Sequence, residues 1–156
     1  MYDASKFLVA RATGTSKISR INAMDSAMIK AGVGDFNLIK VSSILPKGIR
    51  RVSGLEQHIG AFRTCVLASS EGRGEHLVAG LAYGFRSDGR GGYVAELTAS
   101  GAEVDLDPFE DKLKESLLSM GKERGIEMID VETMCTDVKV EPDVYGCALA
   151  ILVYLP

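Results

Sequence analysis

Apolar positions recur along this chain at two spacings, and the switches between them divide it into elements. From Phe7 the run FLVARATG has the short apolar character of a strand and closes on the loop-forming Gly14-Thr15-Ser16. The spacing then becomes helical: in NAMDSAMIKAG the residues Ala23, Ala27 and Ala31, with Met24 and Met28, form one stripe. That stripe predicts a helix with Asn22 as N-cap and Gly32 or Gly34 at its end. The segment NLIKVSSILP, residues 37–46, reads as a strand entering a turn, because Pro46 and Gly48 stop regular structure. Three strand-like runs follow, FRTCVLASS, HLVAGLAYGF and GYVAELTAS, and their separators EGRGE and RSDGRG both predict hairpin loops.

Helical spacing returns in DPFEDKLKESLLSMGKERG. Asp107 is expected as N-cap, Pro108 as the first helical residue, Glu110 and Asp111 in the first turn, and Gly125 at the end. Its stripe of Phe109, Leu113, Leu117, Leu118 and Met120 is expected to face a sheet. EMIDVETMCTDVKV and GCALAILVYLP add two strands, the last so apolar that it should be central and buried. Strands in runs with two substantial helices, rather than strict alternation, predict an α+β layered domain, sheet on sheet with the helices outside. A chain of 156 residues suits one such domain over residues 1–156.

Composition narrows the class. With 46% hydrophobic and 25% charged residues the chain is neither disordered nor membrane-spanning. The start MYDASKFLVARATG has no basic opening and no small-residue cleavage site, so it does not read as a signal peptide, and a cytoplasmic protein is expected. Cys65, Cys135 and Cys147, odd in number and set among apolar residues, read as free thiols of a reducing compartment. A net charge of -3 gives no general attraction to nucleic acid. His58 and His76 are 18 residues apart and without a neighbouring cysteine at metal-ligand spacing, so no metal site is expected.

Candidate chemistry is sparse by motif. EGRGEH and SDGRGGY lack the strand and helix context of a dinucleotide site and the ending of a P-loop, and GTSKISR reads as a plain loop. No G-x-S-x-G elbow occurs. Asp25 reads first as a first-turn acid of its helix, and Asp35 as a turn residue. Glu96 is less ordinary. Alternation puts it with Val94 and Thr98 on one strand face, opposite Tyr93, Ala95 and Leu97, where a carboxylate either meets solvent or sits in a site with a raised pKa. Ser42-Ser43, a hydroxyl pair between apolar flanks at a strand end, is by itself either turn chemistry or a strained peptide.

NLIKVSSILP together with the upstream INAMDSAMIKAGVGD and the later YVAEL strand resembles, over essentially the whole chain, the pyruvoyl-dependent arginine decarboxylases of archaea and some bacteria. The resemblance implies self-cleavage between Ser42 and Ser43 by serinolysis, giving a β-subunit of residues 1–42 and an α-subunit of residues 43–156. It implies a covalent pyruvoyl group derived from Ser43, which serves as electron sink in place of pyridoxal phosphate and without a metal. Glu96 matches the family's proton donor, Asn37 a residue beside the serine pair, and Asp25 the acid that contacts the guanidinium of the substrate arginine. The product would be agmatine for polyamine synthesis. The fold implied is a four-layer αββα sandwich, assembled as a homotrimer of αβ protomers with active sites between neighbours and no nucleic-acid or membrane partner. Two alternatives stand beside this: a pyruvoyl decarboxylase of another amino acid, and a non-catalytic relative acting as a binding or assembly module.

Overall fold

The central strand of the molecule is its most apolar one. In the computed structural model, which describes residues 3–156, the stretch Tyr145–Leu155 (β9) is buried on both faces, as its composition predicted. Met1 and Tyr2 of the N-terminal stretch lie outside the described residues. Strand alternation sends Cys147, Leu149, Ile151, Val153 and Leu155 to one apolar cluster, and Ala148, Ala150, Leu152 and Tyr154 to another.

The elements preceding β9 are β1 (Lys6–Ser16), α1 (Arg20–Lys30), β2 (Asn37–Lys40), β3 (Ile44–Leu45), β4 (Arg50–Arg51), β5 (Phe62–Arg73), β6 (His76–Arg86), β7 (Gly92–Gly101), α2 (Leu106–Lys122) and β8 (Met128–Lys139). They form a five-stranded sheet in the order β2-β5-β9-β1-β4 and a four-stranded sheet in the order β3-β7-β6-β8. Three apolar clusters separate four layers: one under α1, one between the sheets, and one under α2. The αββα sandwich expected from the sequence is therefore present. No helix among the described residues is long and apolar enough to cross a membrane.

Several local expectations shift. The first helix begins at Arg20 with Ser19 as its N-cap, whose hydroxyl accepts from the Asn22 amide at 3.2 Å. Asn22 is thus inside the helix, and Asp25 lies beyond its first turn. The second helix is likewise capped earlier, by Asp105 rather than Asp107. Leu118 stays 43% exposed because it sits one residue off the buried stripe of Phe109, Leu113 and Leu117.

The expected loop at Gly14-Thr15-Ser16 is strand, since β1 pairs with β9 as far as Ser16 opposite Tyr145. Gly14 serves packing here. A Cβ at Gly14 would collide with the Ala23 carbonyl oxygen and the Ala27 amide nitrogen, so its absence lets α1 sit directly on the strand. Gly14→Ala is expected to destabilise the fold by about 1–3 kcal/mol through overpacking, read as a lower urea midpoint at unchanged slope.

Only one of the two glycine-rich separators is a hairpin. β6 and β7 pair directly across RSDGRG, with Arg86 donating its amide to the Gly91 carbonyl at 2.8 Å. By contrast β5 and β6 belong to different sheets, and Gly74, at φ 64°, turns the chain from one layer to the other. Both strands are apolar on both faces, so their pattern is silent on which partner each takes.

Candidate active site

The stretch NLIKVSSILP forms two strands in two different sheets. β2 runs parallel to β5 at the edge of the five-stranded sheet, and β3 pairs antiparallel with β7 at the edge of the four-stranded one. Val41, Ser42 and Ser43 are the crossing between them, and after Ile49 the chain returns to the five-stranded sheet as β4, parallel to β1. The residues from Val41 to Ile49 thus make a strap joining the sheets. Leu45 and Ile49 anchor it in the layer between them. The strap also needs glycine beneath it: Gly91 has φ 115°, and a Cβ there would collide with the Leu45 carbonyl oxygen.

Backbone atoms around the serine pair are held from several sides. The Val41 amide donates to Cys65 of β5 at 3.0 Å, and the Val94 amide of β7 donates to the Ser43 carbonyl at 3.0 Å. The Ile44 amide donates to the Ser42 carbonyl at 2.8 Å, closing a three-residue turn centred on Ser43. The Tyr154 hydroxyl donates to the Ile44 carbonyl at 3.0 Å. Within this frame Ser42 is exposed and Ser43 half-buried.

Glu96 follows Val94 on the same face of β7, toward the gap between the sheets. β3 covers only Gly92 and Tyr93 of β7, so the sandwich is open beside Glu96, and the residue is exposed. It lines a depression with Lys40, at the end of β2, and with Leu67, Ser69 and Thr98. Glu96 and the serine pair therefore share one edge of the molecule, and Lys40 joins them there, a residue that no motif singled out.

Asp25 is placed apart from this edge within one protomer. Asp25 is exposed on α1, which covers the outer face of the five-stranded sheet. Asn37 opens β2, and its side-chain amide donates to the Gly60 carbonyl at 2.8 Å. Asn37 thus starts the same edge strand that Lys40 ends.

Other polar groups are committed elsewhere. The buried His76 accepts the Val104 amide on Nδ1 at 2.9 Å, so Nε2 carries the proton that it donates to Asp137 at 2.8 Å. Neither nitrogen is left to act as a base for a serine or cysteine. Among the described residues no three His, Cys, Asp or Glu side chains converge as a metal would require. Arg51, Tyr83 and Glu132 hydrogen-bond one another where β4 and β8 meet.

Burial leaves a mark on the thiols and phenols. It raises the Cys65 thiol to about 11, with Glu96 adding to the rise and Lys40 opposing it. Burial also lifts Cys135 to about 11, and Tyr83 and Tyr154 to about 12. Groups with raised folded pKa values favour folding below their ordinary pKa and lose that contribution as the pH passes the folded value. Urea stability is therefore expected to hold up to about pH 9 and to fall between about pH 9 and 12, and Cys65 to resist a thiol reagent at pH 8 until the protein unfolds.

The family model for pyruvoyl-dependent arginine decarboxylase matches residues 6–156. A pyruvoyl-dependent arginine decarboxylase of Methanothermobacter thermautotrophicus is 38% identical over 142 residues, covering 88% of each chain. One of Methanopyrus kandleri is 29% identical over 149 residues, 96% of this chain and 95% of the relative. Among solved structures, a pyruvoyl-dependent histidine decarboxylase at pH 8 shares the fold, with a TM-score of 0.56, at 16% identity. The match covers 64% of this chain and 53% of that one.

Proposed function

The chain belongs to the pyruvoyl-dependent arginine decarboxylase family, and from that premise we propose that it converts L-arginine to agmatine and carbon dioxide with a pyruvoyl group made from its own Ser43. The observation that carries this reading is the geometry of the strap: the Ser42-Ser43 peptide lies in a crossing between two sheets, held on both flanks, with the Ile44 amide on the Ser42 carbonyl.

That geometry suits an acyl shift. The Ser43 hydroxyl attacks the Ser42 carbonyl carbon, the carbon-nitrogen bond between the two residues breaks, and the freed nitrogen takes the proton. As the carbonyl oxygen gains charge, the Ile44 amide stabilises it. The ester then loses the Ser43 Cα proton, the Oγ–Cβ bond breaks, and Ser42 departs as a carboxylate. The dehydroalanine left at position 43 takes up water and releases ammonia, which gives the pyruvoyl group. The residues present fit such a group, because Ser43 supplies its atoms and the Val94 amide already holds the carbonyl next to it. When formed, the group supplies a carbonyl that takes up the substrate amine and draws off the electrons of the bond to the departing carboxyl.

The side chains divide the remaining work. Glu96 holds the proton delivered to the substrate Cα after carbon dioxide leaves. Asp25 binds the guanidinium through charge-assisted hydrogen bonds. Asn37 contributes by fixing the start of β2 on Gly60. Asp25 and Glu96 come from different protomers of a homotrimer, with each site closed by a neighbour. Exposed aliphatic side chains support that contact: Ile18 and Ile21 near Asp25, and Ile39, Val41 and Ile44 around the serine pair. The three free thiols favour the reducing cytoplasm. On this reading residues 1–156 form one domain that is split into two subunits.

Intact-mass analysis of the purified protein tests the proposal. Two fragments meeting between Ser42 and Ser43, the second lacking an amino group, are expected; one full-length species that releases no carbon dioxide from arginine would sink it. Substrate choice has its own test. Asp25→Asn is expected to raise KM for arginine at least tenfold while the chain still splits, and an unchanged KM would point to another amino acid.

A further inference from the structure

We infer that Tyr154 is a positioning residue for the Ser42-Ser43 site, its hydroxyl fixing the strap by donating to the carbonyl of Ile44, the residue that follows the pair. The inference rests on the proposed splitting of the chain there.

Tyr154 lies near the end of β9, opposite Phe7 of β1, and is only 4% exposed on the face between the sheets. Its neighbours in that layer are mainly aliphatic and aromatic. A phenylalanine would fill nearly the same volume without burying a polar atom, so the hydroxyl adds only what its hydrogen bonds add. One of them reaches the strap. Burial keeps the phenol protonated up to about pH 12, so it is a donor throughout the working range.

The strap is anchored asymmetrically about the bond that is to break. On the N-terminal side, Val41 is tied to β5. On the C-terminal side, Ser43 is tied through its carbonyl to Val94 in the four-stranded sheet, and Ile44 through its carbonyl to Tyr154 in the five-stranded sheet. These two ties meet on consecutive residues from opposite layers. Before splitting, they fix the backbone of residues 43 and 44, from which the Ser43 hydroxyl projects. After splitting, residue 43 is a chain end that no longer has the tie through Val41, and the same two contacts keep it in place. Tyr154 thus acts twice, through the backbone, without touching the reacting atoms.

Tyr83 provides the control. It is a second tyrosine 4% exposed in the same layer, and its hydroxyl bonds to Glu132 and Arg51 rather than to the strap. Tyr154→Phe and Tyr83→Phe each remove one hydroxyl and keep the ring, and in Tyr83→Phe the Arg51–Glu132 pair remains.

Freshly produced wild type and both variants are followed by intact mass, with thermal melts in parallel. Tyr154→Phe is expected to split about tenfold more slowly than wild type, the weight of one hydrogen bond, while Tyr83→Phe splits at the wild-type rate. Once fully split, Tyr154→Phe is expected to show a kcat lowered severalfold with KM for arginine within about twofold of wild type. Equal splitting rates for Tyr154→Phe and wild type would overturn the inference. So would equal slowing by Tyr83→Phe, or loss of the folded state in Tyr154→Phe alone, since either makes the hydroxyl a general support of the core. A wild type that never splits would instead remove the proposed function and this inference with it.

Discussion

Ser43→Ala is expected to leave a single full-length chain with no decarboxylase activity, whereas Ser42→Ala still splits. The asymmetry follows from the parts each residue has in the proposed serinolysis. There Ser43 contributes its hydroxyl as the attacking group and its own atoms as the source of the pyruvoyl group, and alanine has neither. Ser42 contributes a carbonyl, which alanine also carries, and that carbonyl keeps its bond from the Ile44 amide. Neither change disturbs the fold by much. Ser42 is exposed, Ser43 is half-buried, and the ties through Val94, Tyr154 and Cys65 are made to backbone atoms, so about 0.5 kcal/mol is the expected cost. Intact mass and release of labelled carbon dioxide from arginine read both outcomes. Splitting of Ser43→Ala, or activity from its unsplit chain, would contradict the role given to the hydroxyl.

The second large effect is expected at Glu96. Glu96→Gln should split normally and then turn over about 10²–10⁴-fold more slowly, since the amide keeps the shape of the carboxyl but its N–H protons are far too weakly acidic to be transferred. In free energy that is roughly 3–5 kcal/mol of lost transition-state stabilisation. The exposure of Glu96 in one protomer adds a condition. In the proposed trimer a neighbouring protomer closes the gap beside β7 and shields Glu96 from water. Dilution that separates protomers should accordingly lower kcat in wild type before it alters the fold. A Glu96→Gln protein with wild-type kcat, or one that fails to split, would remove Glu96 from the role of proton donor.

How much of this was legible beforehand differs from element to element. The central place of β9 was readable because eleven successive residues contain no charge, and such a run has few places but the middle of a sheet. The face on which Glu96 lies was readable from alternation, which is fixed by the strand itself. Tyr154 carried a signal as well: a phenol inside a fully apolar strand has to find an acceptor, though the pattern does not name Ile44. The caps at both helices lie earlier than the stripes suggest, because Ser19 and Asp105 are outside the apolar stripe that marks each helix, and local hydrogen bonds set the boundary.

Around Ser42-Ser43, local pattern establishes that a hydroxyl pair lies between short apolar runs before a proline, and the order of motifs around it points to the family. That those two runs belong to different sheets emerges only when the layers pack. The packed layers also make the serine pair the crossing, held from β5, β7 and β9, and open Glu96 onto the same edge, while Asp25 lies away from it on α1. The physical reason is the range of the interactions. Periodicity and capping act within a few residues, whereas the bond from Tyr154 to Ile44 closes over 110 residues and exists only once the layers have packed.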